Sequence, residues 1–179
     1  MKETYFAWKL IKRIAPYVLL FYALLLLSAF ISFYAFTSIP SLGEYRDTFL
    51  QATKKRVSTI MESAFPAFDI FKHNMMIALL MALPYVGVIA FLYFTATTGI
   101  ALGAILSASE AGLVQHLALV SSIFLPHGIL EALAYSIALH SATRKSLKSM
   151  LKFLPVIAIM LLVAALVEYG ELLLLHHTG

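Results

Sequence analysis

The sequence predicts an all-α protein: a polytopic transmembrane helical bundle of about five spans, with an amphipathic helix in the first external loop. Three observations carry this expectation. The chain of 179 residues is 61% hydrophobic and only 12% charged, with a mean hydropathy of +0.90, where soluble domains are about half apolar and a quarter charged. Its apolar residues gather into runs about as long as a bilayer-crossing helix, roughly 20 residues. Its unbalanced Lys and Arg residues fall in two places, the N-terminus and the segment holding Arg144, Lys145, Lys148 and Lys152.

The first run, Pro16 to Phe36, follows Lys2, Lys9, Lys12 and Arg13. A cleavable leader has an apolar stretch of about 7–15 residues ending at small side chains. This run is longer and ends in Phe33, Tyr34 and Phe36, so it reads as a permanent span at about 15–37. The external segment at about 41–66 repeats Phe49, Leu50, Val57, Ile60, Met61 and Ala64 at helical spacing, the pattern of a helix lying on the membrane or capping the bundle. Phe65, Phe68 and Phe71 then form an interfacial aromatic group, with Asp69 as the expected N-cap of the next helix.

Four further spans are expected at about 74–95, 97–118, 120–141 and 153–175. The third carries Glu110, Gln115 and His116 with Gly99, Gly103 and Gly112, so a broken or re-entrant element is its alternative form. Pro84 with Gly87, and Pro126 with Gly128, are expected to kink their helices. Gly99 and Gly103, and likewise Ala134 and Ala138, are small residues one turn apart that let backbones approach closely. The third and fourth spans are therefore expected at the centre, with the glycine-free first span peripheral.

An even number of crossings must separate the two basic segments if both are cytoplasmic. Spans one to four supply it, which places the N-terminus in the cytoplasm and the C-terminus outside a cell membrane. The whole chain, 1–179, reads as one transmembrane domain. The absence of cysteine excludes disulfides, thiolate metal sites and thiol nucleophiles. A net charge of +4, small and dispersed and with no Lys/Arg run interleaved with aromatics, argues against nucleic acid as a partner. The expected partners are the lipid bilayer, other membrane or cell-envelope proteins, and a second copy of the chain.

Ionisable residues at bilayer depth are costly and therefore are candidates for function. His127 and Glu131 lie four apart on one face of the fourth span. Asn74 opens the second span, Glu110 lies late in the third and Glu168 late in the fifth. With the directions assigned above, all of these fall in the outer half of the membrane. Three chemistries suit such a cluster. His127, Glu131 and Glu168 form a candidate site for a divalent metal such as zinc; the acids suit a proton- or ion-coupled path; or the groups bond helices to one another. His140 lies on another face of its helix, near the basic loop, where an interfacial position is expected. No phosphate loop, GxSxG elbow or Ser-x-x-Lys dyad is present, so ordinary soluble-enzyme chemistry is unsupported.

The stretch Leu125-Pro126-His127-Gly128-Ile129-Leu130-Glu131 resembles the stage II sporulation protein M family of integral membrane proteins. The Asn74 position, the Gly-rich Thr98-Gly99 through Gly103 segment and the Ala164-Ala165-Leu166-Val167-Glu168 stretch agree with it, over roughly residues 70 to 170. The resemblance implies a multi-span helical protein and singles out Asn74, Pro126, His127, Gly128, Glu131 and Glu168. It also implies a scaffold role, since the namesake holds peptidoglycan-degrading partners at a membrane. Two functions are therefore weighed. One is a noncatalytic scaffold or membrane-complex subunit; the other is an intramembrane zinc-type hydrolase or ion-coupled transporter using the same cluster.

Overall fold

The structure, a computed structural model, describes residues 2–109, 116–117 and 120–178. Its described residues are helical throughout, with no strand: α1 (Lys2–Ser38), α2 (Gly43–Met61), α3 (Pro66–Ala82), α4 (Gly87–Ala108), α5 (Pro126–Thr143) and α6 (Leu147–Thr178), plus short 3-10 turns at Pro40–Leu42 and Ser122–Phe124. Three stretches are long and apolar enough to cross a membrane: Ile11–Ser38, Gly87–Ala108 and Leu147–Leu174. The protein is a membrane protein.

The helix boundaries differ from the expected spans between residues 74 and 141. A single unbroken helix, α4, runs through the break expected near residue 96. The chain turns at 83–86 instead, because proline forces the residue before it out of the helical region. Leu83 is extended at φ −65° and ψ 130°, and Tyr85 adopts a left-handed φ of 70°. Pro84 therefore ends one helix and separates it from the next; it does not kink a continuous one. Pro126 likewise opens α5 at its first residue, where a missing N–H costs nothing. At the other end α4 stops at Ala108, and His116 Nε2 lies 3.0 Å from the Leu106 carbonyl oxygen. The imidazole thus folds back onto the last turn of α4, where the Leu106 carbonyl also accepts the Ser109 amide at 3.3 Å.

Two contacts set the directions of the helices. Gly87 stands against Met81 and Ala142, so the α3–α4 turn lies beside the end of α5. Tyr17 of α1 lies 3.4 Å from Thr143 Oγ1 and packs its ring on His140 at 5.6 Å. Accordingly α1, α4 and α6 leave this end of the bundle, while α3 and α5 arrive at it. Every charged side chain described here is basic: Lys12, Arg13, Arg144, Lys145, Lys148 and Lys152. The opposite end carries α2.

α5 is the centre of the bundle. From Ala134 to Ala142 every residue is buried, and the helix touches α1, α3, α4 and α6. α1 is less peripheral than expected, because its serines fit the glycines of α4. Ser28 and Leu25 stand against Gly99, and Ser32 and Ala29 against Gly103. The Ser28 hydroxyl donates to Leu24 O at 2.8 Å and the Ser32 hydroxyl to Ser28 O at 2.8 Å. Each hydroxyl is thus satisfied within its own helix and can be buried against a bare glycine. Gly87, Phe91, Thr95, Gly99 and Gly103 form a buried stripe of four-residue spacing. The far side of α1 faces outward with Leu19, Phe30 and Tyr34.

α2 buries no residue completely. Phe49, Leu50, Thr53, Ile60 and Met61 are half-covered, and Lys54, Lys55 and Arg56 are exposed. α3 begins at Pro66 with Phe65 as its N-cap. Asp69 lies inside the first turn and not at the cap, where it accepts the Ser63 hydroxyl; the Phe65 amide donates to the same Ser63 oxygen at 3.1 Å. Phe65 and Phe68 are well exposed.

Candidate functional site

The site is built at the α2 end of the bundle by the first turns of α5, the middle of α3 and the late turns of α6. Pro126 starts α5, so His127 and Glu131 project from its opening turns. Gly128 is required where it stands, because a Cβ there would overlap the carbonyl oxygen of Ile123 in the preceding 3-10 turn. The Pro-His-Gly run is thus a tight entry into a helix, and the histidine is placed by it.

Asn74 is buried, at 5% exposure, and its Nδ2 donates to Glu131 Oε1 across the α3–α5 interface. On the other flank of α5, His127 Nδ1 lies 2.6 Å from Glu171 Oε2 of α6. Both members of that pair are mostly covered, with side-chain exposures of 21% and 25%. Glu168 lies one turn before Glu171 and within electrostatic reach of His127, Glu171 and Glu131. Tyr135 continues the Glu131 face of α5 and is buried. Tyr22 of α1 stacks on Phe124 at 4.9 Å and lies within the field of Glu131.

Asn74, His127, Glu131 and Glu168 therefore share one region of the bundle. Glu110 lies outside the described residues. Gly99 and Gly103 are elsewhere, in the α1–α4 contact. His140 is at the opposite end, in the last turn of α5, and is buried at 8% exposure. Its Nε2 is 3.2 Å from Arg144 Nη2, and its ring packs between Tyr17 and Phe153.

The structure does not gather the expected metal set of His127, Glu131 and Glu168 into one ligand group. Among the described residues no three His, Cys, Asp or Glu side chains are grouped to hold one. The reason is the helical geometry: His127 is turned to α6 and engaged by Glu171, while Glu131 is turned to α3 and engaged by Asn74. A four-residue spacing places two side chains on one broad face, but that face spans two neighbouring helices.

Two participants escaped the sequence reasoning. Glu171 was signalled by its three-residue spacing from Glu168, which puts both on one face of α6. Arg56 of α2 falls in the segment expected to be external, yet its positive charge acts on Glu131, Glu168 and His73. Nothing in its local sequence marks that role, since it arises from how α2 is laid across the bundle end.

No curated protein and no solved structure matches the chain. A family model does, that of stage II sporulation protein M, over residues 17–169. This range holds α1 from Tyr17 onward and reaches just past Glu168, so it contains the Asn74–Glu131 and Pro126–Gly128 features on which the site is built. The chain belongs to the stage II sporulation protein M family.

Proposed function

We propose that this family member is a noncatalytic membrane scaffold or complex subunit, and that its polar site fastens α3, α5 and α6 to one another. The observation that carries this reading is the pairing of Asn74 with Glu131 and of His127 with Glu171. Asn74 hydrogen-bonds Glu131 and His127 stands at ion-pair distance from Glu171, each across a helix interface, as expected for residues that hold a bundle together in lipid, where a bare polar group is costly. α3 and α5, of 17 and 18 residues, extend about 26 Å at 1.5 Å per residue, close to the hydrocarbon thickness of about 30 Å. They serve as the second and fourth of five crossings. The basic end then faces the cytoplasm by the positive-inside rule, with the N-terminus inside, the C-terminus outside and the polar site in the outer half of a cell membrane. The exposed helix α2 is left to meet other envelope or membrane proteins or a second copy of the chain.

A second reading is an ion-coupled carrier, favoured by the gathering of Glu131, Glu168 and Glu171 near His127 and Arg56. One experiment separates the two. The purified protein is reconstituted into vesicles holding a pH-sensitive dye, and in parallel its native-membrane complexes are sized with and without α2. The scaffold reading expects proton leakage equal to that of empty vesicles and a larger complex that is lost on deletion of α2. Flux that Glu131→Gln and Glu168→Gln abolish would establish the carrier instead.

A further inference from the structure

At the basic end of the bundle two connections face each other across an open groove of about 680 Å³. One wall is the α3–α4 turn with Pro84, Tyr85 and Val86; the other is the α5–α6 connection with Lys145, Leu147 and Lys148. Each wall carries a non-glycine residue in the left-handed region, Tyr85 at φ 70° and Lys145 at φ 51°, a conformation uncommon outside glycine. These two residues also meet: Lys145 Nζ lies 5.7 Å from the Tyr85 ring centroid.

The charge in the groove has no acidic partner among the described residues. Arg144 is bonded to His140 one turn before it and stacked 5.8 Å over Phe153. Among the described residues neither Lys145 nor Lys148 is salt-bridged to an acid. Glu131 is the only acid between residues 111 and 167, and it belongs to the opposite half of the bundle. Beside these cations the walls are apolar and open, with Tyr85, Val86 and Leu147 exposed by 74%, 50% and 61%. A small soluble anion would use the lysines alone. A molecule with an anionic head and apolar tails uses both.

We propose that this groove binds an anionic phospholipid of the adjacent leaflet. Lys145 and Lys148 receive the headgroup phosphate, Tyr85 lies at headgroup level, and Val86 and Leu147 border the acyl chains. Basic juxtamembrane residues gain about fivefold in affinity each for an anionic surface, so the pair is worth about 25-fold.

The test is native mass spectrometry of the full chain in detergent mixed with equal amounts of phosphatidylglycerol and phosphatidylcholine. Wild type is expected to retain phosphatidylglycerol in preference to phosphatidylcholine, and the double variant Lys145→Ala/Lys148→Ala to lose that preference by about 25-fold. Lys145→Arg/Lys148→Arg keeps it, as does Lys54→Ala/Lys55→Ala on α2, and circular dichroism confirms that all variants are folded. Inorganic phosphate at millimolar concentration does not displace the lipid. Equal retention of the two lipids by wild type, an unchanged preference in the alanine double variant, or displacement by inorganic phosphate would each overturn the proposal.

Discussion

Replacing Gly103 with alanine puts a methyl group where α1 already stands. The new Cβ overlaps the Ser32 hydroxyl and the Ala29 carbonyl oxygen, and lies 2.9 Å from the Phe33 amide nitrogen. The hydroxyl can rotate, but the other two atoms are backbone, so α1 itself has to withdraw from α4. Overpacking of this kind costs about 1–3 kcal/mol. Gly99→Ala repeats the perturbation one turn earlier, against Ser28 and the Leu25 carbonyl. Because one withdrawal of α1 relieves both clashes, the double variant is expected to cost less than the sum of the singles. Alanine also favours a helix over glycine by up to about 1 kcal/mol, which calls for a control. Gly170→Ala on α6, where nothing lies within 4 Å, supplies one and is expected to be neutral or stabilising. Unfolding in mixed micelles, followed by circular dichroism against the fraction of denaturing detergent, measures the four variants against wild type. Equal stability of Gly103→Ala and Gly170→Ala would refute the close α1–α4 approach.

Gly128→Ala is expected to cost about 1–3 kcal/mol by the same overpacking argument, since its Cβ meets the Ile123 carbonyl; the same unfolding curve reads it. Glu171→Gln weakens the link to His127 and is expected to lower stability by about 0.6 kcal/mol, up to about 1.7, with no effect on metal content by elemental analysis. The chain has no cysteine, so single cysteines introduced at Lys148, Tyr85 and Lys54 can be labelled from either face of a sealed vesicle. Positions 85 and 148 are expected to label from one side and position 54 from the other; labelling of 54 together with 148 would break the five-crossing arrangement.

The sequence made the helical membrane fold legible because lipid imposes a strong rule: backbone polar groups must be paired within the span, and side chains must be apolar over its length. It also singled out Asn74, His127, Glu131 and Glu168, because polar and ionisable groups are rare in apolar runs, and the structure gathers these four in one region of the bundle. Helix boundaries were harder. The run from Asn74 to His116 is apolar almost throughout, so hydropathy alone has no means of telling a break at Pro84 from one near residue 96. The proline and its preceding residue carry that information locally, and the left-handed Tyr85 completes the turn. The partnership of α1 with α4 was hidden because Ser28 and Ser32 read as ordinary span residues until their hydroxyls are seen folded back onto their own helix. The engagement of His127 by Glu171, and the reach of Arg56, depend on helix rotation and on how α2 lies, which no local pattern encodes.

The claim that the polar site is a clamp between helices is tested most directly by a double-mutant cycle on Asn74 and Glu131, with unfolding free energies measured in lipid bicelles for wild type, Asn74→Ala, Glu131→Ala and the double variant. A cross-helix hydrogen bond predicts a favourable coupling of about 0.6 kcal/mol or more, up to about 1.7. A coupling of zero, with each single variant as stable as wild type, would contradict it.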